Sequence, residues 1–132
     1  LYFPWCEKTF NREWDFLLDL SLETIQYLKG ELKINTPLLR SSELGDSGNK
    51  TERLISICKQ LGATQYLSGD SARNYISEKD FSDQGIELEY QEYQHPEYPQ
   101  RYEGFVPFLS TIDLLFNCGD KSMKFLKQTD FI

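Results

Sequence analysis

Residues 86–93 read IELEYQEY, with Ile86, Leu88 and Tyr90 alternating against Glu87, Glu89 and Gln91. A period of two belongs to an extended strand with one buried and one wet face. A second extended stretch, TQYLSG at 64–69, precedes it, and between the two lie DSARNYI and SEKDFSDQG, which read as short helical turns ending at Gly85. Strand, helix and strand in that order are the pattern of a parallel α/β sheet with right-handed crossovers.

The elements upstream extend the same pattern. TPLLRSS at 36–42 reads as a further strand, limited at its start by Pro37, because proline can begin a strand but not occupy its centre. A polar loop, ELGDSGN, follows, and Asn49 stands three residues before Glu52 in the manner of a capping box. That places a helix at 50–61, with Leu54, Ile57, Cys58 and Leu61 as its apolar face and Gly62 in the left-handed position beyond its end. Nearer the start, Trp14, Leu18, Leu22, Ile25, Leu28 and Leu32 recur at helical steps among charged residues. This first long helix is expected to pack against a sheet. Two short helices led by Ser110 and Asp120 close the chain. The expected class is α/β: a Rossmann-like or nucleotidyltransferase-like half of three layers, with a short, mostly parallel sheet flanked by helices. Its 132 residues fit one domain, and a start at Leu1 inside a Tyr-Phe-Pro-Trp cluster reads as a trimmed piece of a longer protein.

The net charge of −7, from 21 acidic and 14 basic residues without a basic stripe, repels a phosphate backbone and argues against nucleic acid as a partner. No apolar run reaches the roughly 20 residues of a membrane-spanning helix. Cys6, Cys58 and Cys118 are odd in number and widely spaced, which points to a reducing, cytoplasmic setting and away from a disulfide scaffold or a structural zinc site. One histidine among scattered carboxylates suggests no metal site.

In open parallel sheets, ligands bind beyond the carboxyl ends of the strands, where loops and helix N-termini present unpaired N–H groups. The three expected strands end in Arg40-Ser41-Ser42, Ser68-Gly69-Asp70 and Gln94-His95-Pro96. Ser68 and Gly69 are candidates for phosphate binding, as is the helix start at Ser110, with Asp113 at the third helical position completing a box-like cap; Arg53 is a candidate assisting cation. His95 is the only side chain whose ordinary pKa lies near neutrality, hence the candidate general acid or base. Each has a plainer role beside it: serines close turns, a histidine before proline orders a loop, and Ser110 caps a helix whatever else it does. Cys118 invites a Cys–His nucleophile reading, against which stands the ordinary buried cysteine. The aromatic crowding from Tyr90 to Phe108 suits a sugar or base, and suits equally the pinning of a proline-rich loop.

The patterns NKTERLISICKQLGATQYLSG, HPEYPQ and FVPFLSTIDLLFN, with INTPLLRSSELG before them, resemble the WbqC-like protein family over nearly the whole chain. The resemblance falls on Thr51, Glu52, Arg53, Ser68, Gly69, His95, Pro96, Tyr98, Pro99, Gln100, Pro107, Ser110, Asp113 and Asn117. Members are bacterial, longer than this chain, and often encoded beside genes for O-antigen and other surface polysaccharides. They begin with a segment of the type MQPxFFPxLGYF, which this sequence lacks, so the resemblance implies a C-terminal portion. It implies no reaction or cofactor. It does favour a small-molecule substrate, a nucleotide or sugar, handled by group transfer, or alternatively a non-catalytic scaffold subunit of a biosynthetic assembly.

Overall fold

A computed structural model describes residues 1–45 and 48–127, which divide into two compact units. One is helical and comprises residues 1–36 and 94–127; the other, residues 37–93, holds the sheet.

The helical unit begins with α1 (Phe3–Phe10), which has a proline in its first turn, where the missing N–H costs no helical bond. The indole of Trp14 donates to the Thr9 carbonyl at 2.9 Å, so Trp14 closes α1 and stands outside the next helix. That helix, α2 (Leu17–Glu31), carries Asp19 in its first turn and Lys29 in its last, the signs the helix dipole favours. Its end is a Schellman motif: the Lys33 N–H donates to Gly30 O at 3.0 Å and the Ile34 N–H to Lys29 O at 2.8 Å. Lys33 sits there at φ +56, a left-handed position that usually falls to glycine. At the other end of the unit, α5 (Thr111–Cys118) and α6 (Ser122–Leu126) are joined by a single 3₁₀ turn, Gly119–Lys121. The expected cap at Asp120 is not made, since Asp120 lies inside that turn and Lys121 precedes α6 without a side-chain cap bond. Tyr2, Leu32 and Leu115 form the core, with Tyr27, Leu28, Met123 and Leu126 against it, and Trp5 stacks on Tyr27 at 3.7 Å. The first long helix, expected to pack on a sheet, contributes Tyr27, Leu28 and Leu32 to this helical core, while Leu18 and Ile25 of its apolar stripe are 46% and 42% exposed.

In the sheet unit, α3 (Thr51–Gln60) leads to β1 (Gln65–Gly69), then a 3₁₀ turn at Asp70–Asn74, α4 (Glu78–Ser82) and β2 (Glu87–Gln91). The strands are parallel, with Gln65 opposite Glu87 and Gly69 opposite Gln91, as the strand–helix–strand order predicts. Gly62 and Gly85 take φ +64 and +70 just past α3 and α4, and the bonds Ala63 N to Cys58 O and Ile86 N to Phe81 O close both helix ends. Ile55, Cys58, Ala72, Ile76, Phe81 and Ile86 make the core, and Tyr66 stacks on Phe81. The buried side of α3 thus runs through Thr51, Ile55 and Cys58, while Leu61, assigned to that face from the sequence, is 48% exposed.

Two further expectations are corrected here. Residues 36–40 form no strand, and Leu38 and Leu39 stay exposed: an apolar pair makes a strand only when a neighbour takes its backbone bonds, and none does among the described residues. Among the described residues the sheet therefore has two strands, in a mixed α/β arrangement. Asn49 also forms no capping box, because the residue before α3 is Lys50, at φ +49, with no side-chain bond to the helix. The loop expected at 43–49 includes Asp46 and Ser47, which lie outside the described residues.

Burial is the first cause that raises the ionisation of Tyr2, Tyr27, Tyr66, Tyr90 and Tyr98 above the ordinary phenol value. A phenol with a raised folded pKa contributes stability that is intact below its unfolded value of about 10 and is lost as pH climbs through the folded value. Unfolding is therefore expected to accompany tyrosinate formation above about pH 10. Phenolate absorbance and circular dichroism followed on one alkaline titration test this: all eight tyrosines titrating as free phenols while the ellipticity holds would contradict it.

Candidate functional site

The densest polar and aromatic grouping is built on residues 94–113 of the helical unit. His95 Nδ1 lies 3.0 Å from the Pro96 carbonyl oxygen. A carbonyl only accepts, so Nδ1 carries the proton and Nε2 is the basic atom of the neutral ring. Around that imidazole stand Phe108, edge-on at 5.1 Å, Phe105 at 5.8 Å and Tyr98 at 6.2 Å between ring centroids. Tyr98 is buried between Phe105 and Phe125, and its hydroxyl donates to Asp113 Oδ2 at 2.8 Å. Burial and then the Asp113 carboxylate push the Tyr98 ionisation up, so the phenol remains a donor.

Gln100 fixes the shape of this loop. Its amide brackets the backbone of Val106, donating to the carbonyl and accepting from the N–H, both at 2.9 Å, and Nε2 also reaches Asp113 at 3.5 Å. One side chain thus does for residues 100–106 what a neighbouring strand would do, holding Phe105 against His95. Phe108 follows at φ +61 and 79% exposed, a conformation that costs a non-glycine residue energy and tends to occur where geometry serves a ligand.

Ser110 caps α5 as expected, its Oγ accepting from the Ile112 N–H at 3.3 Å. Asp113 does not complete a capping box, because its carboxylate is spent on Tyr98 and Gln100. It stands at the positive end of α5, where a carboxylate is favoured, and so links the helix start to the histidine loop. Burial, then the Asp113 charge, raises the Cys118 thiol, which disfavours the thiolate that a Cys–His nucleophile needs.

The other sequence candidates lie in the sheet unit. Ser68, buried, and Gly69 end β1 opposite Tyr90 and Gln91; a side chain added at Gly69 would meet nothing within 4 Å, so the backbone there opens outward. Arg53 donates from Nη2 to Ser41 Oγ at 3.2 Å. The structure thus brings together His95, Tyr98, Asp113 and the Ser110 helix start through direct contacts, and places Arg53, Ser68 and Gly69 in the other unit.

Gln100, Arg73 and Tyr90 stand outside the single residues that the sequence marks for a site, although Tyr90 opens the aromatic run read there as suited to a sugar or base. Gln100 was noted only as part of the HPEYPQ pattern. At the sheet end, Arg73 donates from Nε to Asp70 Oδ1 at 2.7 Å, and its guanidinium lies 4.0 Å over the Tyr90 ring. The Tyr90 hydroxyl is buried, and after that burial the nearby Glu78 carboxylate adds to the rise of its ionisation. The available signal was positional: Arg73 lies in the loop that leaves β1, and Tyr90 is on the inward face of β2.

Among the described residues no group of three or more histidine, cysteine or acidic side chains is set to hold a metal ion, and no helix is long and apolar enough to cross a membrane.

Among proteins of known sequence, the chain is 39% identical over 97 residues to the uncharacterised protein Rv1507c of Mycobacterium tuberculosis, a match covering 73% of this chain and 42% of that one. The matched portion is thus under half of that relative's length. No solved structure matches the chain significantly. The model of the WbqC-like protein family matches residues 1–125, and the chain belongs to that family.

Proposed function

We propose that the chain is part of a cytoplasmic enzyme of bacterial surface-polysaccharide precursor synthesis, one that transfers a group on a nucleotide-linked or otherwise activated sugar within a nucleotidyltransferase-like frame. The observation that carries this reading is the placement of His95 among aromatic side chains tied to a helix start through Tyr98 and Asp113. Nε2 is the ring atom that can take a proton in the neutral tautomer. Phe105 and Phe108 offer faces for a sugar or base, and the positive end of the α5 dipole favours a phosphate.

In the reaction, an acceptor hydroxyl attacks the activated centre and gives its proton to His95 Nε2. The bond to the phosphate oxygen breaks, and that oxygen leaves with the electron pair. Asp113 is a positioning group for Tyr98 and the loop. Ser68 and Gly69, with Arg53 as assisting cation, are a second and separate candidate phosphate contact within the sheet unit.

A panel of nucleotides and nucleotide sugars, screened by thermal shift on the full-length protein, is expected to contain a member that raises Tm. His95→Ala should retain that shift and lose about 10²–10⁴-fold in turnover, while Ser110→Ala should reduce the shift. A flat response across the panel would end the phosphate-site reading.

The exposure of Val106, Phe108 and Leu109 on the same loop favours a second reading, a non-catalytic subunit whose tyrosine- and proline-rich loop is a partner surface. That reading predicts that Phe108→Ser abolishes assembly while no nucleotide binds.

A further inference from the structure

A separate feature of the helical unit lies where the end of α2 faces the turn between α5 and α6. A cavity of about 180 Å³ opens there, lined by Glu31, Lys33, Asp120 and Lys127 over a floor that includes Leu32 and Ser122. It has room for several waters or a small metabolite. We propose that this cleft binds a small zwitterion of free amino-acid type, through its carboxylates on the ligand's ammonium and its lysines on the ligand's carboxylate.

Four charges around one hollow would ordinarily pair with one another. Here none of the four side chains makes an ion pair or hydrogen bond to a partner among the described residues. The lining is electrically neutral overall and carries both signs, so a singly charged ligand is opposed by half of it and a ligand with both charges by none. Asp120 and Glu31 both act on the buried Tyr2 hydroxyl, adding to the burial that raises its ionisation, which puts the two carboxylates near one point. The floor is dry: Leu32 is 5% and Ser122 1% exposed, and the Ser122 hydroxyl is already spent on the Gly119 and Leu114 carbonyls.

Lys33 supplies a second argument. It closes α2 at φ +56, a position where glycine would relieve backbone strain. The strained lysine adds nothing to the helix end that glycine would not, whereas it brings a positive residue to the lining of the cleft. This inference is independent of the reading proposed for His95.

The test is an NMR titration of the full chain at low salt with glycine, glutamate and lysine, beside acetate and methylammonium as singly charged controls. Saturable shifts of the amides at 31–33 and 119–123 are expected, with an amino acid binding at least about tenfold more tightly than either control. Lys33→Gly should keep or raise Tm and weaken that binding by about fivefold or more, and Asp120→Asn should weaken it similarly. Absence of saturation up to about 50 mM, equal binding of the controls, or unchanged affinity in Lys33→Gly would each overturn the assignment.

Discussion

Alanine at Phe81 is expected to destabilise the sheet unit by about 3–5 kcal/mol, the range for removing a fully buried aromatic ring. Phe81 is 0% exposed, stacks on Tyr66 at 5.3 Å and sits at the centre of a core of six buried residues, Ile55, Cys58, Ala72, Ile76 and Ile86 being the others. The described sheet has only two strands, and two strands alone are marginal in water, so their parallel pairing depends on the layer that α3 and α4 lay against them. Deleting the ring removes the largest piece of that layer and leaves a void that Tyr66 can fill only by leaving its own place. Denaturant unfolding measures the loss. Hydrogen exchange locates it, with the amides of β1 and β2 expected to lose protection first. A loss under about 1 kcal/mol would mean that the core closes over the gap and that the strand end carrying Ser68 and Gly69 is held by something else.

Local patterns in the sequence were sufficient for much of this unit. The alternation in IELEYQEY and the glycines at 62 and 85 locate β2 and two helix ends, because period and left-handed backbone are properties of a few adjacent residues. The strand assigned to TPLLRSS fails for the complementary reason: apolar content is local, while the hydrogen-bond partner that makes a strand is not. The start of the chain shows the same limit. FPWCEKTF gives too few polar positions to display a helical stripe, although Pro4 was a usable sign of a helix start. In the candidate site, Ser110 was readable as a cap because its partner, the Ile112 N–H, is two residues away. Asp113 was misread as the other half of that cap, because its true partner, Tyr98, lies fifteen residues back across a proline-rich loop. The Arg73–Tyr90 stacking is hidden likewise, since only the crossover between β1 and β2 brings those residues together.

The pairing of Tyr98 with Asp113 separates what holds the histidine loop by packing from what holds it by polarity. Tyr98→Ala should cost about 3–5 kcal/mol, since the ring is buried against Phe105 and Phe125. Tyr98→Phe keeps that packing and removes one hydrogen bond to a carboxylate, worth about 1.5–3 kcal/mol; its cost should fall at the lower end, because Asp113 is only partly buried and retains Gln100. Water and the α5 dipole can then stabilise the vacated carboxylate oxygen. The histidine reports the difference. In Tyr98→Phe the ring contacts of His95 persist, and its NMR signals should show the wild-type Nδ1–H tautomer. In Tyr98→Ala one of three flanking rings is gone, and the imidazole signals should approach those of a solvated loop. Equal destabilisation by the two variants would show that the hydroxyl, and not the ring, fixes the loop, and Asp113→Asn would then have to reproduce the same loss. Wild-type imidazole signals in Tyr98→Ala would instead show that control of His95 does not rest on the Tyr98 ring, leaving it to contacts such as Phe105, Phe108 and the Pro96 carbonyl.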